Sequence, residues 1–178
     1  MARWMPEGAN KLTPLGQPTR MTCWLTSYVM LFASKGENIS QDEVEQRLEK
    51  GGFDVKTAKA SGLSDEDFVK ASSILKTGGM LPGCLWTLQG VRTKLQLHGV
   101  LWVAFFINPD ILKPNVKYHH IMIVCGVDEE RNQIAIINPW KQNAMDYPIV
   151  VWADWNWIRT GLWGTESITA GCQYFSNN

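Results

Sequence analysis

The chain lacks a basic stripe, a membrane-length apolar run, a leader-like N-terminus and any closely spaced cysteine pair. Its 17 Lys and Arg balance 17 Asp and Glu, for a formal net charge of zero. With no Lys/Arg run to neutralise phosphates, sustained nucleic-acid binding is excluded. The longest apolar run, Gly99-Val-Leu-Trp-Val-Ala-Phe-Phe-Ile107, is strand-sized, whereas a membrane span takes about 20 residues. The start, Met1-Ala-Arg-Trp-Met-Pro6, has no apolar signal-peptide core, so export would need a specialised secretion route or carriage within a larger secreted polypeptide. The four cysteines (Cys23, Cys84, Cys125, Cys172) are widely spaced. A chain of this length buries a core without disulfide staples, so free thiols in a reducing compartment are expected. A structural zinc site takes four ligands in short-spaced pairs. No such spacing occurs, so neither a metal nor a cofactor is expected, and Cys84, Cys125 and Cys172 read as buried structural thiols.

What is present suits one soluble domain over residues 1–178, with 45% apolar residues and nine tryptophans. Most of those tryptophans are expected in the core or at the rim of a cleft. Residues 1–21, rich in Pro, Gly and polar side chains, read as an extended lead-in. From Cys23 to about Ser34, Trp24, Leu25, Tyr28, Val29, Leu31 and Phe32 recur at helical spacing, with Thr22 as the expected cap and Gly36 as the stop. Ser40-Gln-Asp-Glu43 is a capping box that predicts a second helix, ended by Gly51-Gly52. Ser64-Asp-Glu-Asp67 predicts a third, ended by Gly78-Gly79, and Thr87–Leu97 a fourth, ended by His98-Gly99. Strands are predicted over 100–107, 121–127, 133–137 and 148–152, with one or two more in 153–178. Asp128-Glu-Glu-Arg-Asn132 should join two of them as an antiparallel hairpin. Helices over about 1–98 followed by an antiparallel sheet over about 99–178 give an α+β fold.

The chemistry gathers in two runs, Gln17-Pro-Thr-Arg-Met-Thr-Cys23-Trp24 and His120-Ile-Met-Ile-Val-Cys-Gly126, the second leading to Asn138-Pro139-Trp140. A thiol attacks a carbonyl as thiolate, so it needs a base, and an imidazole supplies one and later protonates the leaving amine. A third group must orient that imidazole, and preorganised donors must hold the oxyanion. Cys23, His120, Asn138 and Gln17 offer the four chemistries. At the start of a helix, Cys23 would also gain from the helix N–H groups. His119 competes with His120: strand neighbours face opposite ways, but both faces of this run are apolar, so alternation does not choose.

These runs resemble the papain-like cysteine peptidases, in particular the compact bacterial branch with the AvrRpt2-type effectors and C39-like peptidases. In that family a glutamine stands six residues before the nucleophile, as Gln17 does before Cys23-Trp24. The family histidine opens a His-x5-Gly strand, as His120 and Gly126 do, and Asn138-Pro139-Trp140 fits the third member. Leu101-Trp102-Val103 also resembles the compact branch. The resemblance spans residues 17–140. It departs at His119, Leu25 and Thr26, and at Asn138, where the branch often has Asp.

The resemblance implies a papain-like fold, an N-terminal helical lobe with the nucleophile helix packed on a C-terminal antiparallel β-sheet. It implies a cysteine protease acting on a protein substrate, with Cys23, His120, Asn138 and Gln17 catalytic. Trp24, His119 and Trp140 would then bind substrate or support the site. It further implies a bacterial effector or toxin domain, delivered by a specialised secretion system to the cytoplasm of a target cell and matched by a cognate immunity protein. Otherwise the protein would be cytoplasmic. The same residues would serve a glutamine deamidase or amidase, and a catalytically idle binding module is the remaining alternative.

Overall fold

The structure is a computed structural model and describes residues 3–107, 118–140, 149–162 and 168–175. Six helices occur among the described residues: α1 (Cys23–Ser34), α2 (Gln41–Lys50), α3 (Val55–Ser61), α4 (Asp65–Leu75), α5 (Leu88–His98) and α6 (Trp155–Leu162). None is long and apolar enough to cross a membrane. Six strands, β1 (Gly78–Met80), β2 (Leu101–Ile107), β3 (Tyr118–Asp128), β4 (Gln133–Ile137), β5 (Val150–Asp154) and β6 (Cys172–Tyr174), form one antiparallel sheet in the order β1-β6-β2-β3-β4-β5. The fold is α+β, as expected.

Local sequence accounts for most helix ends. The Ser40 hydroxyl accepts the Glu43 N–H while the Glu43 carboxylate accepts from the Ser40 backbone, the predicted capping box. The Asp67 carboxylate accepts from the Ser64 N–H and hydroxyl. Gly36 ends α1 in the left-handed region at φ +83, where glycine carries no Cβ penalty. Helix α3 was not predicted. Only Val55 and Ala58 are buried there, too few to show a period, although Asp54 caps it by accepting the Thr57 N–H.

Two predicted boundaries are corrected. Gly78-Gly79 does not stop α4, which ends at Lys76 in a left-handed conformation. The two glycines instead belong to β1, packed so tightly on β6 that a Cβ on Gly78 would lie 2.5 Å from the Tyr174 ring. Residues 155–162 form a helix rather than a strand. Asp154 Oδ1 accepts the N–H groups of Asn156 and Trp157, and Trp155, Ile158 and Leu162 share one buried face at helical spacing. The expected strand over 148–152 is Val150–Asp154; residue 148 lies outside the described residues.

Helices cover both faces of the sheet. Trp102, Ala104, Ile121 and Ile123 pack with Trp24, Tyr28 and Phe68 on one side. Leu101, Val103, Met122 and Val124 pack with Leu95, Trp155 and Ile158 on the other. Burial on both faces explains why β2 and β3 read as continuous apolar runs rather than alternating ones. Helix α1 is buried at every residue except Ala33, which makes it the central helix. Gln173 of β6 joins the layers: its Oε1 accepts from Tyr28 and Thr77, each at 2.7 Å, and its Nε2 donates to the Phe68 carbonyl.

The lead-in holds a short 3₁₀ turn at Glu7–Lys11 and is tied to β3. At one end Trp4 and Val127 exchange backbone hydrogen bonds of 2.9 Å in each direction. Gly126 permits that crossing, because a Cβ there would sit 2.8 Å from the Trp4 carbonyl oxygen and from Met5 Cγ. The strand also bulges between Val124 and Gly126. Gly126→Ala should therefore destabilise the fold by about 1–3 kcal/mol through overpacking, seen as a lower urea midpoint at unchanged m-value.

Candidate active site

Cys23 opens α1. Thr22 occupies the cap position, but its side chain makes no capping bond, contrary to expectation; its hydroxyl turns back to donate to the Thr19 carbonyl at 3.0 Å. A capping hydroxyl would have claimed one of the first free helix N–H groups. Here the backbone N–H groups of Ile121 from β3, of Trp24 and of Cys23 itself act on the Cys23 thiol and favour its ionised form. Ile121 directly follows His120 in β3.

His120 is 5% exposed, and its Nε2 lies 2.7 Å from Asn138 Oδ1. The same oxygen accepts the Trp140 backbone N–H at 2.9 Å, which identifies it as the amide oxygen. An amide oxygen only accepts, so Nε2 of the neutral imidazole carries the proton and Nδ1 is left without one. The Trp140 ring stands edge-on to the imidazole, with centroids 5.8 Å apart. His119 is exposed and its ring lies 6.5 Å from Phe68 of α4. The structure thus separates the two histidines that the apolar pattern left equivalent.

Gln17 is buried, and its backbone N–H donates to the Pro139 carbonyl at 2.8 Å, stitching the lead-in to the residue after Asn138. Its side-chain Nε2 donates to the carbonyls of Thr19 and Arg20, at 2.7 and 2.9 Å. Both amide hydrogens are occupied in this arrangement, and Gln17 Oε1 is buried without a partner. Donation to an oxyanion would require release of one of the loop bonds. Trp24 is core: its ring packs against Tyr28 and Phe53, and its carbonyl accepts the Trp102 Nε1–H at 3.1 Å. Two contributors escaped the sequence reading, Trp102 and Ser27, whose hydroxyl donates to the Ile121 carbonyl. The signal for Ser27 was its place one turn after Cys23 on the same helix face.

Among the described residues no three of His, Cys, Asp or Glu converge to hold a metal. Cys125 and Cys172 are buried thiols, whereas Cys84 is half-buried, its thiol held below the usual range chiefly by the Cys172 thiol. A cavity of about 430 Å³, lined by Trp4, Lys11, Lys35 and Gln96 among others, lies at the opposite end of α1 from Cys23.

Burial governs the electrostatics. It pushes the Cys23 thiol up to about 11, with the N–H groups of Ile121, Trp24 and Cys23 pulling the other way. It pushes His120 down to about 4, against the bond to Asn138. At neutral pH the Cys23 thiol and the His120 imidazole therefore both rest neutral.

A family model described as "Papain-like cysteine protease AvrRpt2" matches residues 9–156. No curated protein matches the chain.

The two shifts set opposite stability slopes. Unfolded, His120 takes up a proton near its usual 6.5; folded, near 4. Between these values the unfolded state binds more protons, so stability falls as pH drops through that window. Cys23 does the reverse between its usual 9 and about 11, so stability falls as pH rises there. Between pH 7 and pH 5, urea unfolding of the native chain should lose about 2 kcal/mol more than that of His120→Gln.

Proposed function

The chain belongs to the AvrRpt2-type papain-like cysteine proteases, and we propose that Cys23, His120 and Asn138 form its catalytic triad, with Gln17 as an oxyanion donor. The observation that carries this reading is the doubly bonded Asn138 Oδ1, which leaves the Nδ1 of buried His120 without a proton, one residue before the Ile121 N–H that acts on the Cys23 thiol.

The reaction follows from those atoms. Nδ1 takes the Cys23 proton as the sulfur attacks the scissile carbonyl carbon. Negative charge passes to the carbonyl oxygen, where the Cys23 N–H and one Gln17 amide hydrogen hold it. The Nε2–H bond to Asn138 keeps the imidazolium in place while its Nδ1 proton passes to the leaving amine. The acyl group stays on sulfur as a thioester. Water, losing its proton to Nδ1, then attacks the thioester, and the thiol regains a proton as the new carboxyl terminus departs. Burial disfavours both charged partners at rest, so charge separation is confined to the attack itself. Trp140 shields the His120–Asn138 bond from water, and exposed His119 borders the substrate path.

The chain acts as an effector or toxin domain, delivered into the cytoplasm of another cell, part of a larger secreted polypeptide and held in check by an immunity protein over the cleft. The resemblance to AvrRpt2-type effectors supports this, and the four free thiols suit a reducing cytoplasm.

Incubation of the protein with a target-cell lysate, read by mass spectrometry of new N-termini, tests the reading. New termini are expected with the native chain and lost with Cys23→Ala and His120→Ala. Asn138→Ala should slow their appearance by one to two orders of magnitude, part of the roughly 10²–10⁴ that a positioned acid–base group contributes. Cys23-dependent conversion of glutamine to glutamate without new termini would replace peptide cleavage by deamidation.

A further inference from the structure

Continuing the β3–β4 register two residues past Ile123↔Ile137 sets Pro139 opposite Ile121. Pro139 has no N–H to give, and its carbonyl is taken by Gln17. On the other side of β3, Ala104 stands opposite Ile121, yet its N–H donates to the Gly171 carbonyl at 2.7 Å, away from β3. In an antiparallel ladder the N–H and C=O of one residue point the same way. The Ile121 groups therefore face away from β2, toward the space β4 has left. Buried backbone groups need partners, and here both come from α1. The Ile121 carbonyl accepts the Ser27 hydroxyl at 3.4 Å in a buried setting, and the Ile121 N–H acts on the Cys23 thiol, favouring its ionised form. Cys23 and Ser27 are four residues apart, neighbours on one helix face.

We propose that Ser27 is a positioning residue for the peptidase: its hold on the Ile121 carbonyl sets the height and rotation of the first turn of α1 on β3, and with them the approach of Cys23 to His120. The inference rests on the reading of Cys23 and His120 as the reacting pair. Displacement of a reacting group by about 1 Å can cost 10²-fold in rate. A clamp on both backbone polar groups of Ile121, the residue directly after His120, is placed to prevent such drift.

The test needs no substrate. Iodoacetamide alkylation of Cys23 in the full chain, followed by peptide mass spectrometry from pH 5 to pH 9, reads proton transfer to His120. Ser27→Ala should alkylate at least tenfold more slowly at pH 7, with the profile displaced toward alkaline pH. Thr26→Ala removes the neighbouring buried hydroxyl, which accepts from Gln41 at 2.9 Å; it should lower the melting temperature yet keep the native rate within twofold. Folded Ser27→Ala reacting at the native rate, or Thr26→Ala slowed equally, would overturn the proposal. His120→Ala separates the two readings: if it alone is slow, only the role of Ser27 fails, and if it too reacts natively, the Cys23–His120 pair fails. The native chain supplies a check independent of any variant's folding. The Ile121 amide, with no strand partner, should resist hydrogen–deuterium exchange as well as the amides of Met122 and Ile123, and exchange at a loop-like rate would refute the clamp.

Discussion

A proline's missing N–H, at the position in line with Ile121, is the constraint on which the site depends. The β3–β4 ladder cannot continue through Pro139, and each polar group left over at that break is claimed by an element of the site. The Pro139 carbonyl anchors Gln17. Asn138, freed from the ladder, turns its amide oxygen to His120 and Trp140. The Ile121 peptide receives α1 through Cys23 and Ser27. Three segments distant in sequence thus meet at one strand end because the backbone there must be satisfied by something other than a strand.

Asparagine at position 138 suits the burial of His120. A carboxylate in its place would bring a charge against an imidazole that rests neutral, costly unless paired. The amide fixes the imidazole tautomer through the same geometry without adding charge. What it forgoes is standing support for imidazolium, in keeping with a histidine that burial holds near 4.

Much of this was legible in the sequence, for identifiable reasons. Capping boxes at Ser40 and Ser64 marked α2 and α4 because their side chains close on local backbone. Continuous apolar runs marked β2 and β3 because both faces are buried. Helix α3 has only two buried residues, and the three-residue strands β1 and β6 are too short to carry a period. One or two strands were expected in 153–178, and β6 is there; helix α6 was not anticipated because its tryptophans favour strands, although Trp155, Ile158 and Leu162 keep helical spacing. At the site, the family spacings pointed to Cys23, His120 and Asn138. The Ile121 peptide that α1 grips is backbone, which no residue letter encodes, so the importance of Ser27 appears only in three dimensions.

The position of β6 bears on how the molecule comes into being. Residues 172–174 lie between β1 and β2 rather than at an edge, so the sheet closes only once they arrive. Gln173 then locks Tyr28 of α1 from more than 140 residues away. Such long-range closure makes for slow folding. On the ribosome, Cys23 would emerge long before His120, and α1 is clasped only after β6 has been made. The nascent protease would thus pass through this part of its synthesis with Cys23 and His120 not yet held in place.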